Sequence, residues 1–172
     1  VTLSIKEIQT LNCLVGQKNA GLVYLVVFDK SKGTLMAVIV EKYNLPNHFH
    51  LVKIDHIVEI SKQAVLIDNI SSLTEIPVNS LADRALKADA HIIGLPAVVE
   101  SGQPFGTVTD LNIVWPIGDI WQVVVETESG ERLLAKNQIK QITDTEVIFI
   151  EDVINPKFKW QADIGAATNP VN

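Results

Sequence analysis

The stretch Gly21-Leu-Val-Tyr-Leu-Val-Val-Phe-Asp-Lys-Ser-Lys-Gly33 decides the fold once it is laid over Gly106-Thr-Val-Thr-Asp-Leu-Asn-Ile-Val-Trp-Pro-Ile-Gly118. Both segments start and end on glycine, carry Val at the third position and lie 85 residues apart. The same spacing takes Val40-Glu41 onto Val125-Glu126. Further on the spacing becomes 82, placing Ile57 on Ile139, Ile60 on Ile142 and Val65 on Val147. Upstream, 82 also places Leu11 and Cys13 on Ile93 and Leu95. The spacing changes where turns are expected, so insertions collect in loops while apolar positions stay in register. That is the pattern of a duplicated unit.

Working outward, the first unit predicts strands at 22–28, 35–40, 51–54, 57–60 and 64–67. The second predicts 107–114, 120–126, 132–135 and 146–150. Asp29 opens a hairpin turn that Gly33 closes, since glycine takes positive φ without steric cost. Val and Ile together supply 41 of the 172 residues, and their branched side chains suit a pleated, half-buried surface. Short strands so closely spaced favour a small closed barrel or sandwich, which removes exposed edges. Ser4 with Glu7, and Ser80 with Asp83, place a capping hydroxyl three residues before an acid and predict two short helices. The expected organisation is mainly β: a first barrel at 1–74, a linker with a short helix at 75–90, a second barrel at 91–154 and a tail at 155–172.

Composition narrows the function classes. With 47% apolar residues the chain can bury enough surface to offset chain entropy, so it is not disordered. Its 20 acids against 14 bases speak against a nucleic-acid clamp, which needs a clustered basic surface. Cys13 stands alone, which rules out a disulfide scaffold. The longest apolar run, 22–28, falls far short of the roughly 18–20 residues of a membrane-spanning helix. Val1-Thr-Leu-Ser4 shows no signal-peptide pattern. With no methionine at its start, a trimmed chain is expected, and the expected compartment is the cytoplasm.

The search for chemistry leaves little. His48 and His50, with His56 six residues on, form the one cluster with ligand-like spacing, since residues i and i+2 of a strand share a face. They sit in the longer turn of the first unit with no cysteine nearby and only Asp55 as acidic help, so neither metal nor cofactor is expected. His91 reads as an ordinary linker residue. Gly16–Gly21 and Gly102–Gly106 resemble phosphate loops only superficially, because neither ends in Gly-Lys-Ser/Thr or opens a helix. No nucleophile elbow is present. Cys13 aligns with an apolar position and reads as a buried, inert thiol. A metal-dependent or hydrolytic activity would rest on His48 and His50 alone.

Two asymmetries point to an interface instead. Leu22, Val23, Tyr24, Leu25, Val26 and Val27 make a strand apolar on both faces, whereas its partner in the second unit is broken by Thr, Asp and Asn. A strand covering one core needs one apolar face, so the other must be covered by the second barrel, the linker helix or another chain. The expectation is a contact between barrels or subunits, with Val23, Leu25 and Val27 on one face and Leu22, Tyr24 and Val26 on the other. Trp115 beside Pro116 at a hairpin tip, and Trp160 with Phe158 in the tail, are candidate interface anchors. Trp121, in line with Val123 and Val125, is expected in the core.

The repeat resembles the PRC-barrel family, the small β-barrel of the photosynthetic reaction-centre H subunit and of the C-terminal half of the ribosome maturation factor RimM. The residues carrying the resemblance are Leu11-Asn-Cys-Leu-Val15, Gly21 to Asp29, Gly33 and 35–40. In the second unit they are Ile93-Gly-Leu-Pro-Ala-Val-Val99, Gly102, Gly106-Thr-Val108 and 120–125. Ile93-Gly-Leu-Pro96 is similar to the opening of the RimM barrel, although Leu134-Ala135 replaces the Ile-Pro usual before the late strands. The first unit looks like a further PRC barrel rather than RimM's distinct N-terminal domain. The resemblance implies a tandem PRC-barrel protein acting as a non-catalytic interaction or adaptor module, through a protein partner or self-association. The alternative it implies is ribosome assembly, by contact with a small-subunit ribosomal protein. A membrane-complex partner is the analogue of the H subunit.

Overall fold

The computed structural model describes residues 1–87 and 91–155. Its elements run β1 (Thr2–Ser4), α1 (Ile5–Ile8), β2 (Asn12–Val15), β3 (Lys18–Asp29), β4 (Thr34–Lys42), β5 (Phe49–Lys53), β6 (Ile57–Ile60) and β7 (Ala64–Ile67). After α2 (Leu81–Leu86) follow β8 (Pro96–Val99), β9 (Pro104–Val114), β10 (Asp119–Thr127), β11 (Gly130–Ala135), β12 (Ile139–Ile142) and β13 (Val147–Phe149). The mainly β expectation holds. Ser4 and Ser80 cap the two helices as expected, each hydroxyl accepting from the amide three residues on. Asp83 reaches back to the amide of Asn79 rather than that of Ser80.

The pairing of β2 to β7 recurs in β8 to β13. In each set the first four strands pair antiparallel in sequence, the last two form a hairpin, and the first and last run parallel. The irregularities recur too. Tyr24 on β3 and Thr109 on β9 are the extra residues of matching bulges, and so are Met36 on β4 and Trp121 on β10. A Cβ on Gly21 would overlap the Glu41 carbonyl, and one on Gly106 would overlap the Glu126 carbonyl. Only glycine lets the strands approach that closely.

One alignment changes. Cys13 faces Gly21 and Ala97 faces Gly106, so Cys13 matches Ala97 and not Leu95. The offset before Gly21 is therefore 84, because strand register follows the close glycine contact rather than the next apolar residue. Within each set the outermost strands, β5 and β6 or β11 and β12, do not pair with one another among the described residues.

The two sets meet between β4 and β10. Leu35 N–H donates to the Gly118 carbonyl (2.8 Å) and Ile120 N–H to the Gly33 carbonyl (3.0 Å). Exchanging residues 85 apart turns one bond into the other, as a two-fold relation requires. All thirteen strands thereby join one hydrogen-bonded sheet. One buried cluster runs through both sets, with Val23, Val38 and Val65 from the first and Val108, Val123 and Phe149 from the second. The N-terminus crosses over: β1 pairs with β9, and Asp110 accepts from the Ser4 hydroxyl (2.5 Å) and the Lys6 amide (3.2 Å).

A second cluster lies on the outer face of β3, β4 and β5. There Val27, Ala37, Ile39 and Leu51 are buried under Ala82 of α2, with Leu81 and Leu86 packed alongside. Among the described residues it is the linker helix that packs on this face. The expected alternation also fails, because the bulge at Tyr24 shifts the period. Val23, Val26 and Phe28 face the main cluster, Leu25 and Val27 face α2, and Leu22 and Tyr24 are exposed.

The matched glycine contacts give a direct test. Gly21→Ala and Gly106→Ala should each destabilise the fold by about 2–3 kcal/mol through overpacking against backbone. Urea unfolding should show both losses, while Thr107→Ala, at an exposed neighbour, stays near wild type.

Candidate functional site

The largest exposed apolar side chains around β10 and β11 are Ile117 (68% exposed), Trp121 (54%) and Leu133 (59%). Their exposure follows from local backbone geometry. Trp121 was expected in the core, but Ile120 pairs with Ile113 and Gln122 with Asn112, which leaves Trp121 unopposed. A bulge puts one extra residue into the strand and breaks the two-residue alternation. Ile120 therefore turns inward and Trp121 outward. Leu133 and Leu134 are adjacent on β11, so one must point each way; Leu134 is buried.

Trp121, Ile117 and Ala135 line an open groove of about 760 Å³, with Val114, Asp119 and Lys136 at its sides. Ala135 and Leu133 share a face of β11, which continues the apolar surface along the strand. Beyond Leu133, paired with Val124, the next outward pair is Glu126 opposite Glu131. Both glutamates are exposed. Like charges directly across a strand pair repel.

Comparison of matched positions sets this surface apart. Leu133 stands where Leu51 stands in the first set, opposite Val124 as Leu51 is opposite Ile39. Leu51 is buried under α2; Leu133 has no such cover among the described residues. Ile117 and Leu133 escaped the sequence reading, although the Leu133-Leu134 pair carried a legible signal.

The remaining candidates are dispersed. Trp115 is buried in the main cluster and so is interior rather than an exposed anchor; Pro116 beside it is exposed. Phe158 and Trp160 lie outside the described residues. Tyr24 packs its ring on Phe49 at 4.7 Å between centroids. His48 sits exposed in the loop before β5, whereas His50 is half-buried on the strand opposite Val40. The strand begins only at Phe49, after Asn44 and Asn47 turn the chain with φ of 60° and 65°. The described residues contain no group of three His, Cys, Asp or Glu side chains able to hold a metal ion.

His56 has a different partner from the one expected. Its Nδ1 lies 3.0 Å from Asp68, whose other carboxylate oxygen accepts from the buried Ser72 hydroxyl at 2.5 Å. The Ser72 bond, then the His56 contact, holds the Asp68 carboxyl below its ordinary range. The carboxylate stands between serine and histidine, so the imidazole does not contact the hydroxyl. This is a clip joining the turn before β6 to the turn after β7.

No protein-family profile matches the chain, and no curated protein is similar to it. No helix among the described residues is long and apolar enough to cross a membrane.

Cys13 is fully buried, and burial pushes its thiol from 9.0 up to about 11. It should resist a thiol reagent at pH 8 in the native protein and react once the chain is unfolded in urea. Because the folded pKa is raised, the neutral thiol stabilises the fold fully below pH 9.0. That contribution falls away as pH rises towards 11. Subtracting the urea midpoints of Cys13→Ala from those of wild type across that window should isolate the loss.

Proposed function

We propose that the protein is a pair of PRC-barrel-like units acting as a non-catalytic interaction module in the cytoplasm. It docks a basic protein segment on the outer face of β10 and β11. The observation that carries the docking face is the apolar surface of Trp121, Ile117 and Leu133 running into the facing carboxylates of Glu126 and Glu131. A segment with an apolar side chain followed by Lys or Arg would fill the groove and neutralise the acidic pair. Such complementarity favours encounter and register as well as contact area. The net charge of -6 supports the same choice of partner.

The duplicated-barrel reading is supported by strand pairings, bulges and close glycine contacts recurring at matched positions. The second reading, a ribosome-assembly factor, is favoured by the Glu126–Glu131 pair, because small-subunit ribosomal proteins are basic.

Affinity capture from cell extract should return a basic protein on the wild-type chain. Trp121→Ser/Leu133→Ser and Glu126→Lys/Glu131→Lys should each lose it by at least tenfold, with thermal melting unchanged because all four sites are exposed. Capture insensitive to both pairs would refute the docking face. So would a concentration-dependent dimer that the same substitutions abolish, since the occupant would then be a second copy of this chain.

A further inference from the structure

The junction between the two sets creates two matched clefts, and they are lined in opposite ways. One lies between the turn of residues 30–33 and β12, and has a volume of about 650 Å³. Four lysines line it: Lys30 and Lys32 from the turn, Lys136 from the segment before β12, and Lys140 from the strand. At the matched positions of the other cleft stand Trp115, Ile117, Ile54 and Val58. The correspondence is geometric as well as sequential. A Cβ on Gly33 would meet Lys136 Cε at 3.2 Å, and a Cβ on Gly118 would meet Ile54 Cδ1 at the same 3.2 Å. Trp115 is buried at the position matched to Lys30, whose slimmer side chain, 11% exposed, lines the open cleft.

We propose that this lysine-lined cleft binds a small phosphate-bearing molecule. Four basic residues replace apolar ones at one end of a chain whose net charge is -6. Their ammonium groups have acidic neighbours but retain donors. Lys30 contacts Asp144 at 2.9 Å, Lys136 contacts Asp119 at 3.7 Å, and Lys140 contacts Glu100. Arg84, which does not line the cleft, also approaches Asp144, at 3.7 Å. Each ammonium carries three N–H donors, and one carboxylate contact leaves others for a ligand. Lysines act as point charges that surround a tetrahedral oxyanion, whereas planar carboxylates are matched best by the arginine fork. Ile139 and Ile142 on the same wall would take an apolar remainder of the ligand.

The full chain should be titrated with pyrophosphate while amide resonances are followed by NMR, with sodium chloride holding ionic strength constant. Saturable shifts confined to residues 30–33 and 136–144 are expected. Lys32→Gln/Lys136→Gln should weaken binding at least tenfold and steepen no other titration. Lys32→Gln alone, on the exposed turn, serves as the second variant should Lys136 prove necessary for folding. Lys136 lies at the border of this cleft and the docking groove, so Lys32→Gln alone and Trp121→Ser/Leu133→Ser separate the two: the first should weaken the titration and the second leave it unchanged. Shifts reproduced by sodium chloride alone, equal binding of citrate, or undiminished binding in both lysine variants would overturn the assignment.

Discussion

Two backbone hydrogen bonds, from Leu35 to Gly118 and from Ile120 to Gly33, join β4 to β10, and the rest of the molecule is arranged around that seam. Residues 34–36 of β4 and 119–121 of β10 run past the ends of β5 and β11, and without the seam these short stretches would lack a partner on that side. With it the strands form one sheet over a continuous core. The seam is made at the ends of two hairpin turns, where Gly33 and Gly118 adopt φ of 66° and 84°. Positive φ at these positions lets the chain reverse and still offer its carbonyl to the other set.

The seam relates the two sets by exchange, but the surfaces beside it have diverged. On one outer face Val27, Ala37, Ile39 and Leu51 lie beneath α2. On the other the matching positions are Asn112, Gln122, Val124 and Leu133. Asn112 and Gln122 bond to each other at 3.3 Å, so part of that face tolerates water without a covering helix. The same divergence appears beside the turns, where Trp115 is buried in the main cluster while its counterpart Lys30 lines an open cleft. Backbone geometry preserves the strand arrangement while side chains at equivalent places do different work.

Much of the fold was legible because its signals are local. The Asp29-to-Gly33 turn follows from side-chain capping, Asp29 accepting from the amides of Ser31 and Lys32. The serine caps followed from hydroxyls placed before short apolar segments. The candidate site was legible only in fragments. Trp121 was misassigned because a uniform two-residue period carries it inward with Val123 and Val125, and the bulge between Ile120 and Gln122 restarts the count. His48 lies in the loop ahead of β5, which begins at Phe49 and carries His50.

By itself the sequence determined strand-forming segments, turn glycines, helix caps and the spacing that matches one set of strands to the other. Each depends on the conformational preference of a few neighbouring residues, and those preferences act wherever the segment ends up. Tertiary structure alone decided that α2 covers the apolar outer face of β3, β4 and β5. It also decided that Trp121 and Leu133 stay exposed, and that four lysines from separate segments converge on one cleft. These outcomes depend on register across strands and on which distant element reaches a given face. A one-residue shift in pairing reverses the direction of every following side chain, and only the assembled sheet fixes that register.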